Sequence, residues 1–190
     1  MALVFLIRHG ETDSNLKGIW QCGDEVPLNS HGIEQAREFG RNAAELEIGA
    51  LYSSDMTRAR QTAEEISGIS GIPYRGRIFE FRERGCGDIS GLDYYGIVEK
   101  YGIHLTSILS PDLDKIPGSE PLSEFKNRVI SGLSELASVS GLEKVGVVTH
   151  GGVMAYVNSM ILGKGIIERF PNCSYMIVKK ENGSFVKVDQ

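Results

Sequence analysis

"KVGVVTHGGVMAYVNSMIL" (144–162) decides how this chain is read. Val145, Val147 and Val148 form a short apolar run, as in a strand covered on both faces. The run stops at His150, two glycines follow, and the residues after them read as a helix. A strand that feeds a helix directly belongs to a parallel α/β sheet, and such sheets bind ligands at the carboxyl ends of their strands. "ALVFLIRHG" (2–10) repeats the design: a continuous apolar run ends abruptly in Arg8, His9 and Gly10. A strand that only had to leave a sheet would turn on Gly, Asn or Asp. Two buried strands that each end in histidine place both histidines in one crevice.

Working outward, "ALYSS" (50–54) reads as another short strand. Helices are expected after an Asn29 cap, where Ile33, Ala36, Phe39, Ala43 and Leu46 recur at helical spacing, and from an Asp55 cap to about Ile66. A further helix is expected from about Leu122 to Val139. Asn182-Gly183, between "YMIVKK" and "SFVKV", is a strong hairpin signal. Pro73, Gly76 and the glycines at 85, 87 and 91 predict an irregular region, and about 92–117 a partly helical excursion that caps the crevice. The fold expected is α/β over one domain, residues 1–190. It is a three-layer sandwich around a mostly parallel central sheet with an antiparallel C-terminal edge.

Composition narrows the function. A formal net charge of −5 argues against nucleic acid or an anionic membrane as partner. No apolar run is long enough to span a bilayer. "MALVFLI" lacks the basic flank and cleavage site of a signal peptide, so it is expected as a buried strand of a cytoplasmic protein. Cys22, Cys86 and Cys173 are odd in number and without CxxC spacing, implying neither a disulfide framework nor a zinc knuckle. The histidines form no HxxxH or HExxH pattern, so no metal is expected. "GCGDISG" (85–91) is one residue too long for a dinucleotide fingerprint, and no cofactor is expected. A homodimer is left open.

"RHGET" (8–12), "PLNSHGIEQA" (27–36), "SSDMTRARQTAEE" (53–65), "FRERGCGDISG" (81–91) and "VVTHGG" (147–152) occur in this order. Together they resemble the histidine phosphatase superfamily, the phosphoglycerate-mutase-like enzymes, over nearly the whole chain. The resemblance implies that His9 is the nucleophile that becomes phosphorylated. It places Arg8, Arg58 and His150 around the phosphoryl group, with Asn15 and the Gly151 N–H as further donors. Gln21 and Cys22 fall in the segment that binds substrate, and Glu83 becomes the acid–base residue. No metal or cofactor is implied, and the partner is a small phosphorylated metabolite.

The chemistry agrees with these residue types. Transfer of a phosphate monoester needs charge stabilised on three equatorial oxygens, and two arginines supply permanent planar forks for it. A protonated His150 is expected to add a third positive charge. A neutral imidazole at His9, its second nitrogen held by a backbone carbonyl, divides one hard displacement into two easier ones. Glu83 must be protonated when the alcohol leaves and ionised when water attacks. Taken singly, a histidine at a strand end is as often structural; with Arg8, Arg58 and Glu83 in register that reading loses its force. Arg60, Arg82 and Arg84 are expected to be solvated, His31 and His104 at the surface, and Trp20 in the core rather than at the pocket mouth; Glu120 is left open between a contact to the site, as in phosphatase relatives, and a loop cap.

Relatives commonly carry Gly where Cys22 stands and a bulky residue where Cys86 stands, both beside the substrate mouth. "HGG" and "IPGSEP" (116–121) look like the phosphatase branch, whereas Glu83-Arg84 matches a mutase pair. From Gly85 to Pro117 the only lysines or arginines after Arg84 are Lys100 and Lys115, against Asp88, Asp93, Glu99, Asp112 and Asp114. A mutase must hold a second anionic group, so a metal-independent phosphomonoesterase is the expected activity. A cofactor-dependent phosphoglycerate mutase is the alternative, and a non-catalytic phospho-ligand binder ranks below both.

Overall fold

The structure, a computed structural model, describes residues 2–23, 25–139, 141–162 and 169–188. Six strands form one sheet: β1 (Leu3–Arg8), β2 (Ala50–Ser53), β3 (Tyr74–Arg77), β4 (Lys144–Thr149), β5 (Tyr175–Glu181) and β6 (Ser184–Val188). Their order is β3-β2-β4-β1-β5-β6. The first four are mutually parallel, and β5 and β6 close the edge antiparallel. The N-terminal apolar run is thus a central strand. Its side chains alternate: Val4 and Leu6 enter one core, Phe5 and Ile7 the other.

Helices cover both faces. α2 (Ser30–Asn42) and α3 (Thr57–Ser70) pack on the Phe5–Ile7 side through Ala36, Ala59, Ala63 and Ile66. α5 (Leu122–Ala137) and α6 (Gly151–Leu162) pack on the other through Phe125, Val129, Leu133, Val153 and Val157. The result is the expected α/β three-layer sandwich. Two short helices complete it: α1 (Asp13–Leu16), closed by a capping box on Thr12, and α4 (Tyr94–Tyr101) in the excursion. Among the described residues, no helix is long and apolar enough to cross a membrane.

Local signals account for most boundaries. The Asn29 side chain accepts the N–H of Gly32 at 2.8 Å and starts α2. Asn182 and Gly183 both have positive φ, the backbone that a two-residue hairpin turn requires. Three expectations fail here. Asp55 does not cap α3: Met56 occupies that position, Ser54 Oγ accepts its N–H, and the Asp55 carboxylate pairs with Arg82 instead. α3 also runs one turn past Ile66, ending at Gly71 in the left-handed region. The stretch after Pro73 is a strand, β3. It carries little apolar pattern because it is an edge, paired only with β2.

The excursion has a small core of its own. Ile89, Ile97, Leu105, Leu113 and Ile116 are buried together, with Trp20 packed against them. Asp88, Asp93 and Glu99 point outward, whereas the Asp114 carboxylate accepts from the buried Arg84 and from the Leu122 N–H. Asp93 caps α4 through the N–H of Gly96, and Asp112 pairs with Lys115.

Candidate active site

β2, β4 and β1 lie side by side and end together, and each gives way to a polar residue: Ser54, His150 and His9. The Ser54 N–H donates to Val148 O at 2.8 Å and the His9 N–H to Thr149 O at 3.0 Å, which holds the three ends in step.

His9 is buried, with Nδ1 2.7 Å from Gly10 O. A carbonyl only accepts, so Nδ1 carries the proton and Nε2 keeps its lone pair. Arg58 Nε donates to that Nε2 at 3.3 Å. Burial first, then the charges of Arg58 and Arg8, hold the His9 pKa well below its ordinary value. At neutral pH His9 is therefore an uncharged imidazole whose Nε2 lone pair faces Arg58 Nε, and both residues line the cleft.

The two arginines come from different elements. Arg58, in the first turn of α3, is fully buried and donates through Nη2 to Gln21 O at 2.9 Å. Arg8, at the end of β1, donates through Nη1 to Phe170 O, while its buried Nε has no acceptor among the described residues. Burial lowers the Arg8 pKa, but from a value so high that the charge remains.

His150 corrects an expectation. It is fully buried against His9, with ring centroids 5.2 Å apart, and it does not line the cleft wall. Burial, Arg58 and His9 hold its pKa well below the ordinary value, so it is neutral rather than cationic. Its Nε2 is 2.8 Å from Ser54 Oγ, and Ser54 Oγ already accepts the Met56 N–H. The Ser54 hydroxyl then donates to Nε2, which leaves Nδ1–H as a neutral donor without an acceptor among the described residues.

Glu83 sits across the cleft. Its Oε1 accepts the Arg84 N–H at 3.0 Å and its Oε2 the Gly152 N–H at 2.9 Å. Beneath it, Arg128 of α5 donates to the carbonyls of Glu80, Arg82 and Glu83 and pairs with Glu120. Glu120 also accepts the Gly85 N–H, the loop-capping one of the two roles left open for it.

The cleft has two arms that share Arg8, Asn15, Thr106, Ser107, Ile108 and Gly151. The arm of about 270 Å³ contains His9, Arg58 and Glu83, with Ile19, Trp20, Gln21 and Cys22 as its wall. The arm of about 430 Å³ runs past Glu11, Arg169 and Asn172. Asn15 Oδ1 accepts from Thr12 N–H and Asn172 Nδ2, leaving its NH₂ as the donor end of the side chain. Gln21 Oε1 accepts from Thr12 Oγ1. A wider groove of about 530 Å³ lies between α2 and residues 172–175 and contains none of the catalytic candidates.

Three further corrections follow. Cys22 and Cys86 are not separate thiols: they form a disulfide, with Cα atoms 5.4 Å apart. Sequence spacing could not pair residues 64 apart that only the cap brings together. Arg84 is not solvated; it is fully buried and donates to the carbonyls of Ile108, Ser110 and Glu120 and to Asp114. The carboxylates of the excursion do not line either arm, because its apolar side chains turn toward their own core and leave the acids outside. Ser54, Gly152 and Arg128 were missed as site residues. The signals were present for the first two, a polar end on a third adjacent strand and the second glycine of "HGG". Nothing local marks Arg128.

The family model "Histidine phosphatase superfamily (branch 1)" matches residues 4–189. Over 163 residues the chain is 32% identical to "Uncharacterized phosphatase PhoE" of Bacillus subtilis, covering 86% of this chain and 79% of that protein. It is 30% identical over 166 residues to "Probable phosphoglycerate mutase GpmB" of Salmonella choleraesuis, covering 86% and 76%. The solved structure of Bacillus stearothermophilus YhfR superposes with a TM-score of 0.86 at 25% identity, covering 98% of this chain and 95% of that one. The two histidine-ended strands, the arginines beside them and the match along the sequence agree: this chain belongs to the histidine phosphatase superfamily.

Proposed function

We propose that this protein is a metal-independent phosphomonoesterase that passes a phosphoryl group through His9 to water. The observation that carries the reading is the His9 tautomer: an unprotonated Nε2 in a cleft that also holds Arg8, Arg58 and Glu83. His9 Nε2 attacks phosphorus, the P–O bond to the alcohol breaks, and Glu83 delivers the proton to the departing oxygen. Water then attacks the phosphohistidine, Glu83 takes a proton from it, the P–N bond breaks, and phosphate leaves. Arg8 and Arg58 supply the charge that the equatorial oxygens need. Asn15 and the Gly151 backbone add neutral donors, and His150 stands behind them as the neutral neighbour of His9.

The leaving alcohol is read as small and uncharged. The arm beside Glu83 is walled by Ile19, Trp20, Gln21, the Cys22 half of the disulfide, Thr106, Ser107 and Ile108, none of them cationic. This replaces the charge count over 85–117 as the reason to favour hydrolysis, since those carboxylates face away. The mutase reading keeps one observation in its favour: Arg169, in the other arm, could meet a second anionic group. The same proposal treats residues 1–190 as one domain of a cytoplasmic protein acting on a small phosphorylated metabolite.

The test is direct. Rapid quenching with labelled substrate should trap an acid-labile phosphoryl group that His9→Ala abolishes, and chelator should leave turnover unchanged. Activity that disappears with EDTA and returns with Mg²⁺ would end the mechanism. Isomerisation of 3-phosphoglycerate faster than phosphate release would favour the mutase.

A further inference from the structure

The Cys22–Cys86 disulfide joins the two halves of the machinery. Gln21, next to Cys22, presents its carbonyl to Arg58 Nη2. Cys86 lies three residues beyond Glu83 and is bridged to Ser119. Besides the disulfide, residues 20–22 are tied to the cap by the bonds Trp20 N–H to Leu92 O (2.9 Å), Gly91 N–H to Trp20 O (2.8 Å) and Cys22 N–H to Ser90 Oγ (3.4 Å). The last is at the long limit of a hydrogen bond. The covalent link is therefore the strongest element holding the Arg58-facing loop at a set distance from the segment that carries Glu83.

The two sulfurs differ in access. Cys86 is fully buried among Ile89, Ile97, Leu105, Leu113 and Ile116, whereas Cys22 is half-buried and lines the arm beside His9 and Glu83. In reducing compartments disulfides are rare, and those that form are usually transient, catalytic or redox-sensing. We infer that Cys22–Cys86 is a redox-sensitive positioning pair: oxidised, it sets Gln21 O against Arg58 and keeps the cleft competent; reduced, it releases the loop and weakens phosphoryl binding. This rests on the reading of the cleft as a phosphoryl site.

The exchange balances with two thiols as reductant. A thiolate enters the cleft and attacks Cys22 Sγ; the S–S bond breaks, and Cys86 leaves as a thiolate that takes a proton, because an apolar site disfavours the anion. A second thiolate attacks the reductant's sulfur in the mixed disulfide, which frees Cys22 as a thiolate that is protonated in turn and yields the oxidised reductant. Two electrons pass, and a dithiol completes both steps alone. Phosphate in the cleft obstructs the first attack.

The experiment compares oxidised and dithiothreitol-treated protein. Measured together are p-nitrophenyl phosphate kinetics, orthovanadate affinity, the mass gained on alkylation and the emission of Trp20, the single tryptophan, which packs in the cap cluster. Once alkylation shows both cysteines freed, kcat/KM should fall by between several-fold and about 10²-fold, the range expected for a misplaced clamp. The loss should appear chiefly in KM, with a matching loss of vanadate affinity and a shift in Trp20 emission. Inorganic phosphate should slow the reduction. Cys22→Ser/Cys86→Ser should begin at the reduced values and ignore dithiothreitol. Complete reduction with unchanged kinetics and vanadate affinity would overturn the inference. So would a loss of activity that tracks a loss of far-UV circular dichroism, which would make the link only structural. An oxidised protein that neither hydrolyses esters nor binds vanadate would instead overturn the phosphoryl reading beneath it.

Discussion

The backbone N–H of Gly152 reaches Oε2 of Glu83 across 2.9 Å, so the first turn of α6 holds the carboxylate on the far wall of the cleft. A Cβ at residue 152 would overlap both Oε1 of Glu83 and the side chain of Ile108. Gly152→Ala displaces the carboxylate without touching His9, Arg8 or Arg58. Turnover of an alkyl phosphate should fall by about 10²-fold, the scale of a misplaced catalytic group, while far-UV circular dichroism stays the same. A wild-type rate would separate Gly152 from the work of Glu83.

Glu83 itself can be distinguished from a binding residue by its leaving groups. Glu83→Gln keeps an acceptor oxygen but has no acid to give. The variant should lose about 10²–10⁴-fold on alkyl phosphates and far less on p-nitrophenyl phosphate, whose leaving oxygen needs no proton. Equal losses on both would mean that Glu83 shapes the pocket, or that dephosphorylation of His9 limits both reactions.

Arg84 tests how the cap is anchored. Its guanidinium donates to three carbonyls and one carboxylate, and the side chain is wholly enclosed. Arg84→Met leaves those acceptors unpaired and should cost about 3–5 kcal/mol in urea unfolding. Arg84→Lys should recover only part, since an ammonium cannot reproduce the fork. A near-neutral methionine variant would show that the cap is held by its apolar core alone.

Stability should depend on pH through the two buried histidines. Both have folded pKa values well below the unfolded value near 6.5. At pH above about 6.5 the unfolded chain binds no more protons than the folded one, and their contribution is complete. As pH falls below that, the unfolded state takes up protons that the folded state refuses. Stability then declines by about 1.4 kcal/mol per pH unit per histidine until each folded pKa is reached. Urea midpoints at pH 7.5, 6.0 and 5.0 should show this, with a shallower slope in His150→Asn; a flat profile would mean that one or both imidazoles are already protonated.

Residue by residue, the chain determined what local physics can determine. The apolar runs ending in Arg8-His9 and in His150 specified buried strands and, through them, the crevice at their carboxyl ends. Asn29 specified the start of α2, and Asn182-Gly183 the terminal hairpin, because each acts on a backbone within three residues of itself. What the tertiary structure alone decided was everything that depends on which distant groups share a dry space. Cys22 meets Cys86 only because the cap folds over residues 19–22. His150 stays neutral because it is buried, with Arg58 and His9 packed against it, and a charge without solvent or a counter-ion is costly. Arg84 looks like a solvated arginine in the sequence and nothing local marks Arg128; burial beside backbone carbonyls turned both into the frame that holds Glu83 and the cap. Asp88, Asp93 and Glu99 face outward for the complementary reason: the excursion's apolar residues claimed the interior, and these carboxylates kept the water.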